Sequence, residues 1–265
     1  MMNLNHENGN RTVEKRPIKP LTTRQERKLV DYLDEAFLQL TRNFKKRTEA
    51  SSTLKTLPTY LEAVRQILAI VLQIPPVDPS TSLRIAYMLR LTGDALSSIP
   101  GYTLGSDETT TRDTLQDLVD FLDDLDQAWI AVLQNQIWDP ESAEGVDLVL
   151  PAEIEGLSSS PETNGHPVAR TLKSTPPSQT DVTRLRSLLF AGQSSLEEWL
   201  AHERGSGGEE EPQDVSSMLS RMGLLDDFDS LFVRTLNFLG GFAGNVARNT
   251  VDPLDEAVME DTSCA

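Results

Sequence analysis

Few side chains in this sequence are suited to reaction chemistry, and they do not gather. The three histidines are His6, in a polar N-terminal stretch, His166, in a Ser/Pro/Gly-rich segment, and His202, at the end of a helical pattern. A general base must be held within about 3 Å of the proton it takes, and segments of this kind hold side chains loosely. All three are expected to be solvated and inert. Two acidic runs, Asp123-Asp124-Leu125-Asp126 and Asp226-Asp227-Phe228-Asp229, have the right ligand type for a cation. Neither has the glycine, the alternating oxygen spacing or the closing glutamate of a calcium loop. The first reads as the solvated side of an amphipathic helix. The second places negative charge at a helix N-terminus, where it is stabilising. No metal site is expected.

The glycine-rich stretches fail as phosphate cradles. Gly205-Ser206-Gly207-Gly208 runs into Glu209-Glu210-Glu211, which repels phosphate, and Gly240-Gly241-Phe242-Ala243-Gly244 follows a helix pattern and not a strand. There is no GxxxxGK[ST] and no GxSxG elbow. The single cysteine, Cys264, excludes an internal disulfide and a cysteine-based zinc site. An enzyme is therefore not expected, nor a cofactor. A helical enzyme with an unrecognised carboxylate site stays as an alternative, which an inward-facing Asp or Glu would favour.

Charge bounds the partners. The 265 residues have a net charge of −17, divided unevenly: residues 1–56 carry +5 and residues 57–265 carry −22. An acidic body of that size repels nucleic acid and anionic lipid and favours basic protein partners. The N-terminal residues lack the apolar core of a signal peptide, so a cytoplasmic or nuclear location is expected.

The apolar periodicity is helical throughout, and the fold class expected is all-α. Leu57 to Pro76 is the most apolar stretch, with Pro58 suited to a first turn and Pro75-Pro76 closing it. Tyr60, Leu61, Val64, Ile67, Leu68, Val71 and Leu72 recur at helical spacing, which predicts a central helix covered on most sides. Before it, a capping box at Thr23/Glu26 predicts a helix to about Arg47. After it, Asp78 as cap and Pro79 at the first position predict a third helix to Ile99, followed by a polar loop over 102–110. Leu115, Leu118, Leu122, Leu125, Trp129, Val132 and Leu133 predict a long fourth helix ending at Trp138-Asp139-Pro140, and Gly145 to Leu150 a short extended segment.

Ser178 or Thr180 caps a fifth helix that Gly192–Ser195 is expected to break, and the last helices should span Val215–Met222 and Asp226–Leu239. The expected organisation is a disordered arm (1–20), a four-helix bundle (21–150), a flexible linker (157–177), C-terminal helices packed on the bundle (178–240) and a disordered tail (241–265).

Long amphipathic helices without a reactive constellation suggest a non-enzymatic interaction protein, an adaptor or complex subunit with an acidic surface. Candidate partner-binding residues are Trp138, at a helix end, and Phe228, Phe232 and Phe242 in the aromatic-rich C-terminal stretch, although cis docking of that stretch is favoured. The alternative is a nuclear, nucleic-acid-associated factor using Lys45, Lys46 and Arg47, a trio that also suits a helix C-terminus. Thr175-Pro176 and Ser160-Pro161 are dipeptides that a kinase could modify.

Overall fold

The computed structural model describes residues 18–105, 107–148, 172–205 and 215–248, with the side chains of 203–205 and 241–248 excluded. The first helix, α1 (Thr23–Lys45), opens on a capping box one residue earlier than the spacing predicts. The Thr22 hydroxyl accepts from the Gln25 amide, and the Gln25 side chain accepts from the Thr22 amide. Its face of Leu33, Phe37 and Leu40 is buried against α2 (Leu57–Leu72). All seven apolar positions read from the sequence of α2 are buried. Fully burying such a side chain contributes about 1.5–3 kcal/mol, so this helix is held by packing. Cover is incomplete at Ala69, which is exposed, and Ile70, which is half-buried.

The third helix, α3 (Ser80–Ser98), starts after Pro79 and is not capped by Asp78, whose carboxylate is engaged by Thr175 instead. It ends in a 3-10 turn, Ile99–Gly101, and leads into α4 (Glu108–Leu133), capped by Asp107. The loop between them is not simply polar. The Tyr102 ring is buried near Phe44 and Tyr60, its hydroxyl donates to the Leu54 carbonyl, and its own carbonyl accepts from the Trp199 indole. Helix α4 is the long helix against which most other elements are placed. It packs on α2, α3 and a C-terminal helix, and a two-stranded hairpin of β1 (Ile137–Asp139) and β2 (Glu144–Val146) closes its end. Trp138 and Asp139 are thus in a strand and not in the last turn of a helix.

Of the expected linker, residues 172–177 are ordered, held to the turn before α3 by the Asp78 amide donating to the Lys173 carbonyl at 2.8 Å. The rest of that linker and the segment 206–214 lie outside the described residues. The fifth helix, α5 (Gln179–Gly205), is unbroken and starts on a Ser178/Asp181 capping pair. Gly192 does not interrupt it; it lets α5 approach α3. A Cβ there would stand 2.5 Å from Leu96 Cδ1. The other glycine of the crossing, Gly93 on α3, leaves ordinary contact at 3.5 Å from Leu188.

The C-terminal part is α6 (Val215–Met222), α7 (Leu225–Asp229) and α8 (Val233–Arg248). The sequence predicts one helix over Asp226–Leu239; the chain instead breaks at Ser230–Phe232. Phe232 adopts φ +58, a left-handed conformation costing about 1 kcal/mol or more in a residue with a Cβ. Gly240 does not end the last helix, which runs on to Arg248. Leu185, Trp199 and Phe232 belong to the same buried cluster as Leu61 and Leu118, so both parts of the chain share one hydrophobic core.

Candidate functional site

A concavity of about 440 Å³ lies between α4 and the α7–α8 junction. Helix periodicity explains its chemistry. Asp120, Asp123 and Asp124 fall on the side of α4 opposite the buried Leu118 and Leu125, while Val119 and Leu122 give the concavity an apolar base. The far wall is Asp227, Ser230, Leu231 and Phe232. Two of the four carboxylates are engaged. Asp123 is bonded by Arg234, and Asp124 lies 3.8 Å from the Arg65 Nε. Asp120 accepts from Gln116 at 2.8 Å, and neither it nor Asp227 has an ion-pair partner among the described residues. Burial pushes the Asp124 carboxyl up, Arg65 pulls it down, and the charges of Asp123 and Asp120 raise it further. A cation entering here would meet negative potential above an apolar base. Among the described residues, no group of three or more His, Cys, Asp or Glu is arranged to hold a metal ion.

The fourth aspartate of the α4 run behaves differently. Asp126 is 3% exposed and not part of a solvated face. Its Oδ1 accepts from the Thr235 amide at 3.0 Å and its Oδ2 from the Arg234 amide at 3.3 Å. These are the second and third residues of α8, whose leading N–H groups have no intrahelical acceptor. Phe232, at the cap position, has no side-chain oxygen, so α4 supplies the cap from across the interface. Arg234 Nε lies 3.3 Å from the same carboxylate, and the Thr235 hydroxyl donates to the Asp126 carbonyl. The inward carboxylate is thereby saturated by a structural task.

The residues singled out in the sequence do not form one site. Trp138 is half-buried against the core edge. Phe228 is half-buried in a second concavity, between α5, α6 and α7. Phe232 is 1% exposed, its ring belongs to the core, and it only backs the wall of the first concavity. The side chain of Phe242 lies outside the described residues. In the basic trio, Lys45 is exposed and Lys46 faces Glu49 at 3.9 Å. Arg47 is tied down: its Nε donates to the Gly101 carbonyl at 2.8 Å, and its guanidinium lies over the Phe44 ring at 4.6 Å. His202 is exposed, while His6, His166 and Ser160-Pro161 lie outside the described residues.

A second buried charge is not among the residues singled out in the sequence. Arg84 is 1% exposed; its Nη1 donates to the Gln136 carbonyl at 2.7 Å, while its Nε and Nη2 have no hydrogen-bond partner. Burial pushes its pKa down to about 10. Spacing held signals for both buried charges. Asp126 falls in register with Leu122, Trp129 and Leu133, and Arg84 with Met88 and Leu91, so each sits on an apolar stripe.

No helix among the described residues is long and apolar enough to cross a membrane. The class the fold defines is an all-α protein with a single shared core. Comparison of the chain with protein families, with characterised proteins and with solved structures gives no match to any of them.

Proposed function

We propose that this chain is a non-enzymatic interaction protein, an adaptor or complex subunit, that receives a basic segment of a protein partner on its acidic face. The observation that carries the reading is the concavity beside α4: carboxylates at its rim, two of them without ion-pair partners among the described residues, over an apolar base. A lysine or arginine side chain matches it, with its alkyl stem on Val119 and Leu122 and its charge among Asp120, Asp124 and Asp227. The burial of Asp126 as a helix cap supports the same reading, because the one inward carboxylate of this face is already spoken for.

The test is titration of a fluorescent Lys/Arg-rich peptide into the full chain by anisotropy. Asp227→Asn and Asp120→Asn should each weaken binding severalfold, and raising salt from 50 to 200 mM should weaken it further (these concentrations span about a twofold change in screening length). Equal binding by an acidic peptide, or no effect of either substitution, overturns the proposal.

The nucleic-acid reading draws less support, since Arg47 is committed to Gly101 and Phe44 and Lys46 faces Glu49, so that two of the three cations of that trio are already engaged.

A further inference from the structure

The segment Leu172–Ser178 has neither helix nor strand, yet it is fastened at several points to the turn that precedes α3. The Asp78 amide donates to the Lys173 carbonyl at 2.8 Å, and the Ser174 hydroxyl donates to the Pro76 carbonyl at 2.6 Å. Thr175 completes the attachment. Its amide donates to Asp78 Oδ1 at 3.3 Å and its hydroxyl to Asp78 Oδ2 at 2.5 Å. Pro177 is buried, and α5 begins two residues later with its Ser178 cap. The strap therefore fixes the entry of α5, the helix that covers α3 through the Gly93–Gly192 crossing.

Thr175 is itself exposed, lies outside helix and strand and is followed by Pro176, a neighbour that disfavours helical backbone at the residue before it. Exposure, a segment free of helix and strand and a following proline are what a proline-directed serine/threonine kinase requires of an acceptor. The neighbouring hydroxyl, Ser174, lacks the proline and is half-buried.

We infer that Thr175 is a phosphorylation site and that its phosphate releases the strap from the turn before α3. In the modification, the Thr175 Oγ attacks the γ-phosphorus of ATP and the bond to the ADP oxygen breaks. The hydroxyl proton passes to the kinase's base. That proton is the one that Thr175 donates to Asp78. The ester oxygen left behind can donate nothing, and a group of charge about −1.5 to −2 replaces it beside the carboxylate. Attraction becomes repulsion at a single atom. Lys173 is the cation nearest in sequence and is exposed, so water screens its pull on the phosphate. The consequence passes to α5, whose first turn loses its anchor while its far end stays held by Trp199 on the Tyr102 carbonyl.

The experiment treats the full chain with a proline-directed kinase and ATP, maps the phosphate by mass spectrometry, and follows hydrogen exchange of the modified protein. Phosphate is expected on Thr175 of the native chain. The Asp78 and Thr175 amides should then exchange at least tenfold faster, with a smaller rise through the first turn of α5. Thr175→Val, which loses the hydroxyl without adding charge, should open the strap less than the phosphate does. Asp78→Asn, which can donate to a phosphate, should restore protection in the phosphorylated chain. Phosphate on a peptide spanning 170–182 but not on the native chain overturns the assignment of the site. Phosphate on Thr175 with unchanged exchange overturns the release.

Discussion

Replacing Asp126 by alanine tests the idea that α8 is started by a carboxylate on another helix. The side chain is 3% exposed and accepts from the amides of Arg234 and Thr235. A hydrogen bond to a charged group contributes about 1.5–3 kcal/mol, and its loss leaves a donor without a partner. Thr235 is fully buried, so water cannot replace that acceptor cheaply. The Arg234 pairing adds little, because that side chain is half in solvent. Allowing for incomplete additivity, Asp126→Ala should destabilise the chain by about 3–4 kcal/mol. Asp126→Asn, which keeps one acceptor oxygen, should cost about 1–2 kcal/mol. The control is Asp123→Ala, whose partner is the same arginine at an exposed site and which should cost under about 1 kcal/mol. Urea unfolding gives the differences through the midpoint at constant slope, and hydrogen exchange should place the loss first in α8. A loss below about 1 kcal/mol for Asp126→Ala, or equality with Asp123→Ala, would refute the capping argument.

Other predictions concern the crossing and the buried arginine. Gly192→Ala sets a methyl 2.5 Å from Leu96 Cδ1, and overpacking of this kind should outweigh the gain in helix propensity and leave a loss of about 1–2 kcal/mol by urea unfolding. Gly93→Ala, with ordinary contact at 3.5 Å, should instead stabilise by about 0.5–1 kcal/mol; opposite signs are the result to look for. Arg84→Met should be neutral or stabilising by up to about 2 kcal/mol, since the buried charge carries a penalty of about 3 kcal/mol and the lost bond to Gln136 returns part of it. The penalty has a pH signature. Because the folded pKa is depressed to about 10, well below the ordinary arginine value, the unfolded chain holds the proton more tightly, and stability should rise as pH passes above about 10. The gap between wild type and Arg84→Met measured in urea should therefore narrow from pH 7 to pH 10.5 (a choice that brackets the folded pKa of about 10). A loss of more than about 1 kcal/mol in Arg84→Met would contradict the reasoning.

The residues that made the fold legible were those with simple duties. The apolar positions read at helical spacing from Tyr60 to Leu72 and from Leu115 to Leu133 are all buried, because burial at that spacing leaves a pattern within a dozen residues. Glycine was legible only in part. Gly192 and Gly240 read as breaks, since propensity disfavours glycine in a helix, but at Gly192 a partner helix needs the missing Cβ and overrides that preference. The split at Phe232 left no mark at all: a left-handed phenylalanine is tolerated because its ring is buried and the following helix is capped from Asp126, a residue more than a hundred positions earlier. The acidic concavity was legible as charge on α4 but not as a shape, which needs α7 placed opposite. Asp126 and Arg84 carry charges of the kind that usually stay in water, yet their spacing puts both on an apolar stripe.

The three tryptophans stand in unlike settings, and this makes the molecule its own instrument. Trp129 is sealed in the centre with its indole on Thr92, Trp199 marks the seat of α5 through the Tyr102 carbonyl, and Trp138 is half in water on the hairpin. Single-tryptophan variants would report one place each, the half-exposed Trp138 emitting to the red of the buried Trp129 and Trp199. Following them separately during denaturation would tell whether the hairpin, the crossing and the centre come apart together or in turn, with no dye attached.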